Sequence, residues 1–310
     1  MNRRGALSAY TSPLPGSVPY ENRRPIRVRQ RFDGWALADF LEGACRFASV
    51  DEWKRVVKRG LLREGDRAVG FDHRVRAGQV LTHVCPETVE PDVNSDIAVI
   101  HEDESLLVVD KPAPLPVHPC GRFNKNTLLS ILEGACADLQ LRVVHRLDSD
   151  TSGCLVFAKT RRAANELRKQ FQISLPTKRY FALVSPVPVE SEFCCAARIS
   201  ADPGPRGFRA LDPAGLVSRT EFRVRRRHSD GSSLVEARPL TGRTNQIRVH
   251  LAHLGYPVMG DCLYGGDCVF GERLCLHAKE LTIRHPDSGR EVTFSAALPE
   301  WVGSRECVSL

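Results

Sequence analysis

No apolar run in this sequence of 310 residues approaches the ~20 residues that span a bilayer, and no apolar signal-peptide core stands near its start. A membrane-spanning protein is set aside, and no membrane partner is expected. The 11 cysteines include no Cys-x-x-Cys pair, the spacing typical of zinc ribbons and dithiol redox motifs. Cys194 and Cys195 are adjacent in a strand-like context, so they would point to opposite faces of a sheet. Cys262, Cys268, Cys275 and His277 come nearest to a cluster, but their spacing is not that of a zinc knuckle. The expectation is no metal, and free, mostly buried thiols in a reducing compartment. Gly-x-Gly-x-x-Gly and Asp-Phe-Gly are both missing. That removes a protein kinase, a reading that His145-Arg146-Leu147-Asp148 would otherwise invite; Leu147 also breaks the His-Arg-Asp spacing.

Lysine and arginine number 44 against 37 acids, a formal net charge of +7. The excess fits a polyanionic partner without requiring one. Length and a hydrophobic content of 42% suit one large domain beside a small one. Residues 1–26 hold one acid, Glu21, and Pro13, Pro15 and Pro19, and read as a disordered basic tail. An Arg-rich, acid-poor start also suits a transit peptide to a mitochondrion or plastid. The prolines argue against the amphipathic helix such a peptide needs, and the expected location is cytoplasmic.

Residues 27–84 read as a small module. Trp35, Leu37, Phe40, Leu41 and Ala44 recur at helical spacing after Asp33-Gly34, and Trp53, Val56, Val57 and Leu61 form a second stripe starting from Ser49. Lys54, Arg55, Lys58 and Arg59 occupy the opposite face, either to dock RNA or as an ordinary solvated surface. Residues 85–95, with Pro86, Pro91 and several acids, read as a linker. A larger domain spans 96–303, followed by a tail at 304–310. Its spacing predicts strands over Ile97–Ile100 and Leu106–Val109, and a helix over Leu128–Glu133 with Asn126 as N-cap. A helix over 160–172 buries Ala163, Ala164, Leu167 and Phe171 and turns Arg161, Arg162, Arg168 and Lys169 outward.

The stretch His145-Arg146-Leu147-Asp148-Ser149-Asp150-Thr151-Ser152-Gly153 is polar and turn-rich, and the run Cys154–Ala158 behind it has the length of a buried strand. A carboxylate, Asp148, thus sits on a loop braced by a core strand; an ordinary surface turn entering a strand has the same look. The wording His-Arg-Leu-Asp-x-x-Thr-Ser-Gly resembles the signature of RluA-type RNA pseudouridine synthases. Two further stretches resemble that family in order and spacing: Asp110-Lys111-Pro112 through Val117-His118-Pro119, and Arg238 to His250 with Gly242-Arg243-Thr244-Asn245-Gln246-Ile247-Arg248. Lys178-Arg179-Tyr180 is similar to its Lys-x-Tyr segment. Asn245 stands where the family usually has His. The likeness covers about residues 95–300, and residues 27–84 only loosely resemble a small RNA-binding domain shared with a ribosomal protein.

The resemblance implies an α+β fold: a catalytic domain on a mixed, largely antiparallel sheet with flanking helices, preceded by a small α/β RNA-binding-like module. It implies an isomerase that converts specific uridines in structured RNA, rRNA or tRNA, to pseudouridine without a cofactor. No protein partner is implied, and a monomer is expected. By the same resemblance Asp148 is the catalytic residue and Arg248 its paired cation. Tyr180 and Ile247 hold the flipped base, and Arg146 fills the space it leaves.

Cutting the bond from sugar to ring nitrogen and rejoining through carbon 5 is an isomerisation, which needs no redox cofactor, energy source or metal. The carboxylate can attack the uracil ring or sugar, or take the 2′ proton to give a glycal; both routes stay open. An aspartate has a reference pKa of about 3.9, and a nearby Arg is expected to lower it further. If the pocket is closed, the charge requires such a partner. A metal hydrolase using His145, Asp148 and Asp150 lacks a second ligand cluster. The rival that survives is a non-catalytic RNA-binding or ribosome-assembly factor on a synthase scaffold.

Overall fold

The computed structural model describes residues 3–45, 48–204, 207–266 and 273–303. Gly16–Glu90 forms one compact unit, and Met1–Pro15 with Pro91–Leu310 forms the other. The expected disordered tail is absent from the described part of residues 1–26. Arg3–Tyr10 is helix α1, and Tyr20–Arg27 is strand β1. Helix α1 is held because Leu7 enters the same core as Leu128 and Ile131. Its Arg3 lies 2.8 Å from Glu102 and 2.7 Å from Asp138. A lone leucine among polar residues shows no periodicity, so composition alone pointed to disorder.

In the smaller unit, α2 (Leu37–Ala44) and α3 (Val50–Lys58) share a core with strand residues Ile26, Leu62 and Leu81. The Ser49 hydroxyl accepts from the Glu52 N–H, and Glu52 accepts from the Ser49 N–H at 2.6 Å, a capping box that starts α3 where the stripe predicts. Strands β2 (Leu62–Glu64), β3 (Arg67–Ala68) and β4 (Val80–Thr88) complete a four-stranded sheet ordered β1-β4-β2-β3. Residues 85–88 therefore belong to a strand rather than to the expected linker. Their ladder partner, β1, reaches back to Tyr20 opposite Thr88, inside the stretch taken for a tail.

The larger unit is built on ten strands: β5 (Ala98–Glu102), β6 (Leu106–Lys111), β7 (Arg142–Val143), β8 (Ser152–Ala158), β9 (Thr177–Val184), β10 (Glu192–Cys195), β11 (Thr220–Arg227), β12 (Ser233–Pro239), β13 (Leu276–Arg284) and β14 (Glu291–Ser295). Their order is β10-β11-β12-β9-β13-β8-β6-β5, with β14 beside β13 and β7 beside β8. Among the described pairs β8–β13 alone is parallel, so the sheet is mixed and largely antiparallel. Helices α4 (Leu128–Ala135), α5 (Arg161–Gln172) and α6 (Gln246–His253) pack against it. Thr127, not Asn126, caps α4 by accepting from the Ser130 N–H at 3.3 Å. Asn126 is buried and donates its amide to the Pro91 carbonyl at 3.0 Å. Among the described residues no helix is long and apolar enough to cross a membrane.

The parallel pair explains the glycine that ends the central motif. Gly153 lies opposite Ala278 with φ +113°, and a Cβ there would stand 2.3 Å from the Ala278 carbonyl oxygen. Both the backbone angle and the gap forbid a side chain. Gly153→Ala should destabilise the protein by about 3 kcal/mol. Urea unfolding measures it, and a midpoint equal to the parent's would contradict the close approach.

Candidate active site

The loop from residue 144 to 151 links β7 to β8. Leu147 is buried in the core beside Leu155, which anchors the loop and leaves its neighbours Arg146 and Asp148 lining a pocket of about 660 Å³. The Thr151 N–H closes a turn onto the Asp148 carbonyl at 3.2 Å. From below, the Ser149 carbonyl accepts from the Leu115 N–H at 2.9 Å and from Lys111 Nζ at 3.0 Å. Lys111 Nζ also donates to the Pro112 carbonyl at 2.9 Å and the Leu115 carbonyl at 2.8 Å. Three hydrogens meet three acceptors, the arrangement of an ammonium rather than an amine. Burial nonetheless pushes the lysine pKa down to about 7, against the pull of Asp150, Asp148 and Asp110. His145 is scaffold. Its Nε2 accepts from the Val156 N–H at 3.1 Å, and its ring stacks on Phe171 at 4.5 Å. Burial, helped by Lys178, brings its pKa down to about 3, so the ring is neutral with its proton on Nδ1.

Across the pocket, α6 begins at Asn245, whose φ is +57°. Asn and His are both among the non-glycine residues enriched in this left-handed region, which accounts for Asn245 standing where His is usual. Gln246 braces the preceding turn. Its Oε1 accepts from Thr241 Oγ1 at 2.7 Å and from the Arg243 N–H at 3.0 Å, while its amide donates to the Arg219 carbonyl and to Thr220 Oγ1. Ile247 and Arg248 follow, both buried and both lining the pocket. Tyr180 comes from β9, between Ala237 of β12 and Ala278 of β13. These two small neighbours leave room beside its ring. Burial, then the charge of Asp148, raises the phenol pKa, so Tyr180 keeps its proton.

Arg248 Nη1 lies 3.6 Å from Asp148 Oδ2, so the expected pair is brought together, but loosely. The principal partner of Arg248 is Asp261. Arg248 Nε donates to Oδ2 and Nη2 donates to Oδ1, each at 2.7 Å. The outcome for Asp148 reverses the sequence expectation: its pKa is raised, because desolvation outweighs the attraction of Arg248. Its side chain keeps 31% of its surface open, towards the pocket.

Asp148, Arg146, Tyr180, Ile247 and Arg248 thus line one pocket. Lys54, Arg55, Lys58 and Arg59 belong to the smaller unit, exposed on α3, with Lys54 3.2 Å from Asp51. Other cations of the larger unit are partly neutralised: Arg223 and Arg225 by Glu192 and Glu236, Arg162 and Lys169 by Asp287 and Glu166. A wider groove of about 930 Å³ beside β10 and β11 contains none of these five residues, Asp148, Arg146, Tyr180, Ile247 and Arg248. Among the described residues no group of three or more His, Cys, Asp or Glu is placed to hold a metal. Cys268 lies outside those residues, and Cys262 is disulfide-bonded, which corrects the expectation of a free thiol there. Cys45, Cys136, Cys154 and Cys195 are buried free thiols.

The family described as RNA pseudouridylate synthase matches residues 105–253. A Chloroflexus aurantiacus protein described as an uncharacterized RNA pseudouridine synthase is 36% identical over 89% of this chain and 88% of its own length. The chain belongs to the RluA-type RNA pseudouridine synthase family. The "RNA pseudouridine synthase 7" of Oryza sativa subsp. japonica is 34% identical over 79% of the chain, which spans 64% of that relative. Among solved structures, Human RNA Pseudouridylate Synthase Domain Containing 1 aligns with a TM-score of 0.59 at 27% identity, covering 72% of this chain and 93% of that one. Two residues behind the pocket were given no role by the sequence reading. Lys111 stands in one of the motif stretches, at the end of a mostly apolar strand; Asp261, 13 residues beyond Arg248, carried no signal.

Proposed function

We propose that this chain isomerises uridine in structured RNA to pseudouridine, with Asp148 as the catalytic carboxylate. The observation that carries it is the convergence of Asp148, Tyr180, Ile247 and Arg248, from three separate elements, on a pocket large enough for a nucleobase. The flipped uracil lies against the Tyr180 ring and Ile247, and Arg146, exposed at the rim, takes its place in the stack. Leaving the stack costs a few kcal/mol, drawn from phosphate contacts elsewhere. A carboxylate with a raised pKa is the stronger base and nucleophile once ionised. That serves ring or sugar attack and 2′-proton removal equally. Bond breaking and bond making balance within one nucleotide, so the step consumes no oxidant, reductant or energy source.

The proposed oligomeric state is a monomer. The proposed location is the cytoplasm, with a mitochondrion or plastid as the alternative. The test is pseudouridine mapping of rRNA and tRNA transcripts incubated with the purified protein. Product at defined uridines supports the reading; tight RNA binding without product favours a binding or assembly factor. Docking by α3 is a separate expectation. Neutralising Lys54, Arg55, Lys58 and Arg59 together should weaken RNA binding about tenfold and flatten its salt dependence, with little change in turnover at saturating RNA. An unchanged affinity across a salt series would remove α3 from the interface.

A further inference from the structure

We propose that Asp261 is a positioning residue, one that occupies two nitrogens of Arg248 and presents the third to Asp148 at a distance too long for a full ion pair. The proposal rests on the function argued above and adds a residue to it. Asp261 has no exposed side-chain surface. Its two 2.7 Å bonds use Nε and Nη2 of Arg248; Nη1 lies 3.6 Å from Asp148 Oδ2 and donates to Asn245 Oδ1 at 3.4 Å. Asp261 is itself fixed, since Oδ1 accepts from the N–H groups of Leu263 and Tyr264 at 3.1 and 3.2 Å. The Tyr264 ring lies 5.1 Å from the guanidinium carbon. Its hydroxyl accepts from Asn245 Nδ2 at 2.9 Å and from the Arg209 N–H at 2.8 Å. For the guanidinium to move closer to Asp148, both bonds to Asp261 would have to lengthen.

This arrangement gives the reacting carboxylate a cation nearby without neutralising it. The groups that face Asp148 are Arg248 from α6, Lys111 from β6, Tyr180 from β9, and Arg146 and Asp150 from its own loop; His118, Cys120, His145, Lys178 and Arg243 share the pocket wall. Of these, Arg248 alone is held by Asp261. With Asp261 uncharged, Arg248 is free to turn and close on Asp148. A tightly paired carboxylate is a poorer base and nucleophile, and it stays ionised to lower pH.

The experiment is single-turnover pseudouridine formation against pH for the parent, Asp261→Asn and Asp261→Glu. In Asp261→Asn the acid limb should move to lower pH and the plateau rate should fall about tenfold or more, with RNA affinity unchanged. Asp261→Glu, which keeps the charge, should recover part of the rate and return the limb towards its parental position. A lowered melting temperature and rate in both variants with the limb unmoved would make Asp261 merely structural and overturn the proposal. If Asp261→Asn does not fold, the Arg248 Nε–H resonance is compared between the parent and Asp148→Asn. It should be the same in both, because Asp261 rather than Asp148 holds it; a displaced resonance overturns the proposal. A parent that makes no pseudouridine would defeat the functional reading while leaving that comparison intact.

Discussion

Asp148→Asn should form no detectable pseudouridine, bind RNA as the parent does, and melt at the same temperature or slightly above it. Asparagine keeps the shape but has neither the charge nor the basicity that either chemical route needs. Sequence reasoning alone would anticipate a stability loss from an orphaned Arg248. The structure removes that cost, because Arg248 keeps both of its 2.7 Å bonds to Asp261. The sign of the stability change follows from the raised pKa of Asp148. Above that pKa the folded state carries a poorly solvated charge that the unfolded chain solvates freely, so the neutral variant gains there. The gain should vanish as pH falls through the raised pKa towards 3.8, where both states bind the proton. In the parent the acid limb of activity should accordingly lie above 3.8. Product, RNA affinity and melting curves against pH decide the matter. Pseudouridine made by a folded Asp148→Asn protein would remove Asp148 from the chemistry.

Lys111→Met should cost about 3 kcal/mol of stability and slow pseudouridine formation about 100-fold. Methionine matches the length of the side chain but gives nothing to the carbonyls of Pro112, Leu115 and Ser149. Each buried acceptor left bare costs about 1–3 kcal/mol, partly offset by no longer burying an ammonium. The rate should fall because the Ser149 carbonyl is the tether next to Asp148, and a displacement of about 1 Å at a reacting group is worth about two orders of magnitude. A second signature is pH. With its folded pKa depressed to about 7, the buried lysine gives up its proton earlier than in the unfolded chain. Parental stability should therefore rise between pH 7 and 10.5, and that rise should be missing in the variant. Denaturant titrations across that range, with single-turnover rates at one pH, test both effects. Parental stability together with a parental rate in Lys111→Met would show that the tether is dispensable.

What the sequence made legible was local. Asp148 and Leu147 alternate between pocket and core because a turn closing into a buried strand leaves few other choices. Helix α5 lies where its apolar stripe places it, since that stripe is its own signal. Apart from the one-residue shift of the α4 cap, the misses in the fold are matters of distant partners. Helix α1 is ordered by Glu102 and Asp138, about a hundred residues away, and β1 by β4. The direction of the Asp148 pKa went wrong because desolvation, which no spacing rule reports, outweighs the attraction of Arg248. Arg248 stands beside it at 3.6 Å, but its bonds to Asp261 depend on a turn that no spacing rule connects to the helix.

The position of β13 in the sheet sets a condition on synthesis. It lies between β8 and β9, yet it is made after both; Ser152 and His277, joined at 2.9 Å, are 125 residues apart. In the finished sheet it is the link between β5, β6 and β8 on one side and β9 to β12 on the other. The carboxylate belongs to the first half and the tyrosine to the second, so the pocket straddles the seam that β13 closes. Such long-range closure is slow relative to local helix formation. A nascent chain halted before residue 276 would carry Asp148, Tyr180 and Arg248 and still have no working pocket. Synthesis must pass β13 before the reacting groups can meet in the closed sheet.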